Sequence, residues 1–295
     1  MRRMVMAGVA TVTLLAAIGG TALAAGYANP QFLVETDWLI RHLNDRDLRI
    51  IDMRDRLEEY AAGHIPGAVY LAVNQIRRAL KEPGFVIPPD YELEEILGQL
   101  GITGETMVVA YDDQGGLNAS RLFYTLGYAG HGKMALLNGG LTKWVAEGRS
   151  LAIEVSRVAK TVYRVHPDTG RVASGRWIAA NLGKPNLALV DARSPKEFRG
   201  EDVRAKRGGH IPGAANIEWT QNLTADKTFK SADELLNLYE KAGVTKDKTT
   251  VTYCQTMHRA SLSYFALRLL GYPDVRGYDR SWSEWGNDPA LLVER

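Results

Sequence analysis

Four runs of four or five mostly apolar residues punctuate the chain: Ile50 to Met53, Met107 to Tyr111, Leu187 to Asp191 and Thr249 to Tyr253. Charged or glycine residues bound them, and their length and lack of alternation predict strands buried on both faces, as in a parallel sheet. After the last run, Leu262, Phe265, Ala266, Leu269 and Leu270 recur at i, i+3, i+4, i+7 and i+8, which predicts a helix from about Ala260 with one apolar face. Ala119, Leu122, Phe123 and Leu126 follow the second run in the same way. Strand, tight turn and helix is the repeating unit of a doubly wound α/β domain.

The pattern occurs twice. Leu189-Val190-Asp191-Ala192-Arg193 echoes Ile50-Ile51-Asp52-Met53-Arg54, and Gly209-His210-Ile211-Pro212-Gly213-Ala214 echoes Gly63-His64-Ile65-Pro66-Gly67-Ala68. Thr250 to Cys254 matches Val108 to Asp112, and Asp279 to Trp285 matches Asn138 to Trp144. Matched segments in one order, about 140 residues apart, mean two copies of a domain. The expected division is an N-terminal domain over 30–150, a linker over 151–172 and a C-terminal domain over 173–293. The linker is polar, holds Pro167 and Gly170, and matches nothing in the other copy. Asp52 with Arg54 and Asp191 with Arg193 are expected to be structural ion pairs at strand ends, and the Gly-His-Ile-Pro-Gly-Ala segments architectural turns.

At 295 residues, with 45% hydrophobic and 24% charged residues, the chain has the composition of a globular protein able to fold without metals or disulfides. A net charge of +2 supplies no field for nucleic acid or acidic lipid. Residues 1–25 differ from the rest: Arg2 and Arg3 precede a charge-free apolar run from Met4 to Ile18, and Ala22-Leu23-Ala24 fits a signal peptidase site. A cleaved secretory signal is expected, giving a periplasmic or secreted protein with no membrane attachment after cleavage. In such a compartment the one cysteine, Cys254, cannot form an internal disulfide and must be either inert or used.

Cys254 follows the buried run Thr249 to Tyr253 and precedes the helix. In open α/β sheets that place, at the carboxyl end of a strand, is where anions meet helix N-termini. Oriented amides and neighbouring cations, His258 and Arg259, would hold the thiol as the nucleophilic thiolate. A buried structural cysteine is not expected in the loop Gln255-Thr256-Met257-His258-Arg259.

From about Phe32 to Trp285 the chain resembles the tandem-domain rhodanese sulfurtransferases. The resemblance rests on Asp52-Met53-Arg54 with Gly63 to Ala68, their second copies Asp191-Ala192-Arg193 and Gly209 to Ala214, the loop Cys254 to Ser261, and Asp279 to Trp285. It implies two rhodanese-like doubly wound α/β domains with central parallel sheets, the first catalytically inactive because Asp112 stands where Cys254 stands in the second. It also implies an enzyme that moves sulfane sulfur from thiosulfate to cyanide or a thiol through a persulfide on Cys254, without metal or organic cofactor. Gln255, Thr256, Met257, His258 and Arg259 would bind the small anionic donor. Glu197 falls near where some relatives carry arginine, so Arg199 or Arg204 is expected to lend a further cation.

Two departures from the family pattern bear on the donor. Met257 fills a position often held by glycine, which predicts a reshaped or strained loop, and Arg280 likewise replaces a glycine. The stretch Val69 to Pro89 has Asn74 and no histidine, which leans away from 3-mercaptopyruvate as donor. The spacing Cys254 to Arg259 is one residue shorter than the Cys-x5-Arg loop of phosphatases on the same fold. A persulfide carrier without turnover on small donors is the non-enzymatic alternative.

Overall fold

The computed structural model describes residues 26–82 and 84–295. The signal-peptide expectation for residues 1–25 lies outside the described residues.

The N-terminal half runs β1 (Leu33–Val34), α1 (Thr36–His42), β2 (Leu48–Asp52), α2 (Leu57–Ala62), β3 (Val69–Tyr70), a hairpin of β4 (Arg78–Ala79) and β5 (Phe85–Val86), α3 (Asp90–Gln99), β6 (Met107–Tyr111), α4 (Leu117–Tyr128), β7 (Met134–Leu137) and α5 (Gly140–Ala146). The C-terminal half runs α6 (Gly175–Ala179), β8 (Leu187–Asp191), α7 (Pro195–Phe198), β9 (Ala215–Asn216), α8 (Ala232–Lys241), β10 (Thr249–Tyr253), α9 (Arg259–Leu269), β11 (Val275–Gly277) and α10 (Ser281–Trp285). Each half holds one parallel sheet, ordered β1-β7-β6-β2-β3 in the first and β11-β10-β8-β9 in the second. Consecutive buried residues along β2, β6, β8 and β10 reflect helices on both faces, as the unalternating apolar runs predict.

The repeated motifs hold each sheet to its neighbouring turn. Arg54 grips Asp52 through Nε and Nη2 and donates to the Gly63 carbonyl at 2.7 Å; Arg193 does the same with Asp191 and Gly209 at 2.7 Å. All four charged side chains are buried, and the pairing is what makes that burial tolerable. Downstream, Ala68 N donates to Ile65 O and Ala214 N to Ile211 O, closing turns in which Gly67 and Gly213 take φ of 80° and 75° after proline. Those angles are why glycine follows proline in both copies.

One expectation is corrected. The helices after the second and fourth runs do not present a single apolar face: every residue of α4 except Tyr128 is buried, and in α9 only Arg259 and Arg268 escape burial. The cause is the interface between the halves. α4 packs against its own sheet on one side and against α9 on the other, with Phe123 edge-on to Phe265 at 4.8 Å between ring centres and Tyr124 edge-on to Tyr264 at 5.1 Å. The halves are also tied by the Arg121–Asp279 ion pair at 2.7 Å. Asp279 accepts in addition from the backbone N–H of Ile87, just beyond the hairpin, so β4 and β5 lie against the C-terminal half. Between the halves, residues 151–168 form an irregular strap hydrogen-bonded to the first domain at Gly98, Ala129 and Tyr128.

Candidate active site

Cys254 is the first residue beyond β10, at the carboxyl edge of the second sheet. The segment entering α10 braces its loop: Trp282 N donates to Cys254 O and Ser283 N to Gln255 O, both at 3.0 Å. Ser281 Oγ accepts from Cys254 N at 3.3 Å and Met257 N at 2.9 Å while donating to Tyr278 O at 2.6 Å. Among the described residues, no oxygen of the chain accepts from the backbone N–H of Gln255, Thr256, His258 or Arg259. These amides ring the cysteine at the start of α9, an arrangement suited to holding negative charge on sulfur.

Met257 takes the left-handed angle favoured by glycine, φ 55°, so the loop carries a strained residue. Its side chain is wholly buried, with its terminal methyl against Gly277 and Tyr124, and Thr252 Oγ1 reaches its sulfur at 3.9 Å. Arg280 is right-handed at φ −74°, so its replacement of glycine causes no strain; the left-handed residue is Ser281 at φ 50°. Loop position does not make Cys254 exposed. It is only 1% accessible, because the first domain covers the loop through Asn118, Tyr124 and the hairpin.

The expected cations are placed differently from the sequence reading. Arg259 is spent on Glu197 in a two-pronged pair at 2.6 and 2.8 Å. Burial pushes the Glu197 carboxyl up, but Arg259 overrides it and brings it down to about 2. Arg199 lies at the surface on Glu201, and Arg204 on Asp202 at 2.8 Å with Glu197 at 3.6 Å. Neither faces the loop as a free cation, since acidic neighbours two residues away claim both. Arg204 contributes its carbonyl instead, which accepts from Gln255 Nε2 at 3.1 Å. Thr256 is partly exposed beside them.

His258 is no cation either. Burial, and then Arg77 and Arg121, push its pKa down to about 3. Its Nε2 lies 2.6 Å from Asn118 Oδ1, and Asn118 Nδ2 donates to Met53 O and Asp55 Oδ1, both at 2.8 Å. With both amide hydrogens used, Asn118 can only accept, so His258 is neutral with its proton on Nε2. Asn118 and Ser281 are the neighbours the sequence did not single out. Ser281 lies inside the matched stretch Asp279 to Trp285, whereas nothing in the sequence pairs Asn118 with His258. Among the described residues, no cluster of His, Cys, Asp or Glu is arranged to hold a metal ion.

The first copy shows what the amide ring does. Asp112 takes the place of Cys254, and its carboxylate accepts from the N–H groups of Gln114, Gly116 and Asn118 at 2.8 Å and of Ala119 at 3.0 Å. Burial pushes this carboxyl up and the four amides act against it.

Comparison with known proteins gives the same picture. The Rhodanese-like domain family matches residues 35–147 and again 174–288. The chain is 38% identical over 268 residues to a thiosulfate sulfurtransferase of Azotobacter vinelandii, covering 91% of this chain and 98% of the relative. It is 41% identical over 280 residues to a sulfur carrier protein of Thermus thermophilus, covering 89% and 96%. Among solved structures, a 3-mercaptopyruvate sulfotransferase of Escherichia coli superposes with a TM-score of 0.77 at 28% identity, over 85% of this chain and 98% of that one. With one domain match in each half and relatives aligned from end to end, the chain belongs to the rhodanese family as a tandem of two rhodanese-like domains.

Proposed function

We propose that this protein is a thiosulfate sulfurtransferase whose nucleophile is Cys254. The thiolate attacks the outer sulfur of thiosulfate; a sulfur–sulfur bond forms, the bond to the sulfonate sulfur breaks, and its electron pair leaves with sulfite. Cyanide, or an acceptor thiolate, then takes the outer sulfur of the persulfide and returns the Cys254 thiolate. The observation that carries this reading is the contrast at one structural position. The first loop closes its amides on its own carboxylate, and the second surrounds a thiol with amides that have no acceptor among the described residues. Such a ring stabilises both an incoming dianion and the charge that develops on sulfur.

The test is thiocyanate formation from thiosulfate and cyanide by the full chain, with 3-mercaptopyruvate and an aryl phosphate in parallel. Wild type should turn over with thiosulfate, and Cys254→Ser should lose at least about a thousandfold, since the nucleophile itself is removed. Equal activity of the two would overturn the reading. The near-complete burial of Cys254 favours a second reading, a carrier loaded and unloaded by partner proteins, as the name of the Thermus relative describes that protein. It predicts a gain of one sulfur atom on Cys254 with negligible turnover on small molecules.

Export belongs to the same proposal. Arg2, Arg3, the apolar run and Ala22-Leu23-Ala24 support a signal cleaved near Ala25, leaving a periplasmic or secreted enzyme. Amino-terminal sequencing of the protein from an envelope extract should begin near Gly26; recovery of Met1 would refute cleavage.

A further inference from the structure

The first domain reaches the Cys254 loop with more than Asn118. Arg77 ends the short turn Val73–Ile76, which packs on α4. Its guanidinium lies 4.3 Å over the ring of Phe85 in β5, and Nη2 donates to Asn74 Oδ1 at 3.2 Å. Its Nε is buried without an acceptor, and among the described residues no carboxylate forms an ion pair with it. The stack on Phe85 places it towards the Cys254 loop: Phe85 lies in the hairpin strand just before Ile87, which donates to Asp279 of the other half, and the turn packs on α4, whose Asn118 meets His258 of the loop. Four further arginines near the loop already carry ion pairs: Arg259 with Glu197, Arg204 with Asp202, Arg121 with Asp279 and Arg280 with Glu284. A half-buried guanidinium with an idle N–H and no counter-charge is unfavourable unless an anion completes it.

We propose that Arg77 binds the sulfonate end of the sulfur donor, so that the domain without a nucleophile supplies the donor-recognition residue for the domain that has one. The claim rests on the reading of Cys254 as the sulfur-accepting nucleophile. The stack on Phe85 fixes the plane of the guanidinium, and its fork can meet two oxygens of a sulfonate at once. The loop amides of the second domain would meanwhile hold the sulfur being transferred.

The experiment is steady-state kinetics of the full chain with thiosulfate, alongside mass spectrometry of Cys254 after thiosulfate alone and melting curves to check folding. Arg77→Gln should raise KM for thiosulfate about 10- to 100-fold with little change in kcat, the loss of one charge-assisted contact. Arg77→Lys should recover part of this. Arg78→Ala, which removes the same charge from the exposed neighbouring residue, should leave KM within about twofold because a screened surface charge contributes little. A second readout compares alkylation of Cys254 by iodoacetate and by iodoacetamide. Arg77→Gln should lower the anionic-to-neutral rate ratio about tenfold. Unchanged KM, or an equal fall in both alkylation rates, would overturn the assignment while leaving the nucleophile in place. Failure of wild type to gain sulfur on Cys254 would overturn the functional reading, and this inference with it. Should Arg77→Gln melt early, Phe85→Leu gives the same test by loosening the guanidinium without removing it.

Discussion

The loops after β6 and β10 come from one ancestral pattern and do opposite things with it. In the first, Asp112 satisfies four backbone amides with its own carboxylate, and the domain closes on itself. In the second, Cys254 offers a thiol, and among the described residues no oxygen accepts from the backbone N–H of Gln255, Thr256, His258 or Arg259. The difference extends to the next shell of side chains. Glu197 and Glu59 each precede the aromatic residue, Phe198 or Tyr60, that stacks on the histidine of the repeated turn, yet the Glu197 side chain is 1% exposed against Arg259 while Glu59 is half-buried and, among the described residues, forms no ion pair. The loop holding Asp112 contains no arginine, so its glutamate has nothing to be buried with. A reactive loop needs rigid support from outside because it keeps its own hydrogen-bonding groups for substrate.

The sharpest way to break that comparison is Glu197→Ala. It leaves Arg259 buried without a counter-charge and should cost about 3–5 kcal/mol, read as a lower denaturation midpoint, with loss of sulfur transfer as the loop loosens. Glu59→Ala, at the equivalent place without a partner, should change stability by no more than about 0.5 kcal/mol. The pH dependence follows from the same pair. Glu197 titrates at about 2 when folded and at 4.5 ordinarily, so its contribution is complete above pH 4.5 and lost as pH falls towards 2. That contribution is roughly 3 kcal/mol at about 1.4 kcal/mol per unit. Acid unfolding of Glu197→Gln should therefore be flatter than wild type across that window.

Asp112→Asn is the next test. Its amide NH2 would face backbone donors that the carboxylate now satisfies, and stability should fall by about 2 kcal/mol while KM for thiosulfate stays unchanged. A smaller net effect than at Glu197 or Asp112 is expected at Met257→Gly. Relief of the left-handed angle returns about 1 kcal/mol, but loss of the buried thioether costs about 2–3 kcal/mol, so the variant should be less stable by about 1–2 kcal/mol. Denaturant titration measures both, and a stabilised Met257→Gly would mean that loop strain outweighs packing.

The alternation of buried runs and helices, the duplication, and Cys254 at a strand end are all local patterns, and local patterns survive translation into sequence. The strands β6, β8 and β10 start and stop where the apolar runs do, because a buried strand tolerates charge only at an end where it is paired, as Asp191 is with Arg193. Strands of two residues, such as β3, β9 and the hairpin β4–β5, carry no readable period. The helices α4 and α9 misled for a different reason. Their polar residues Asn118 and Arg121 are buried and meet His258 and Asp279 of the partner domain, which no helical wheel can see.

Sequence by itself determined the family, the two-domain α/β plan and the one thiol able to act as a nucleophile, because each depends on the order of residues along a short segment. Tertiary structure decided which cation is free. Several arginines compete for Glu197, Asp202, Glu201 and Asp279, and long side chains choose partners by distance in space, so only the folded chain shows Arg259 and Arg204 committed while Arg77, stacked on Phe85 in the other domain, has no carboxylate partner among the described residues.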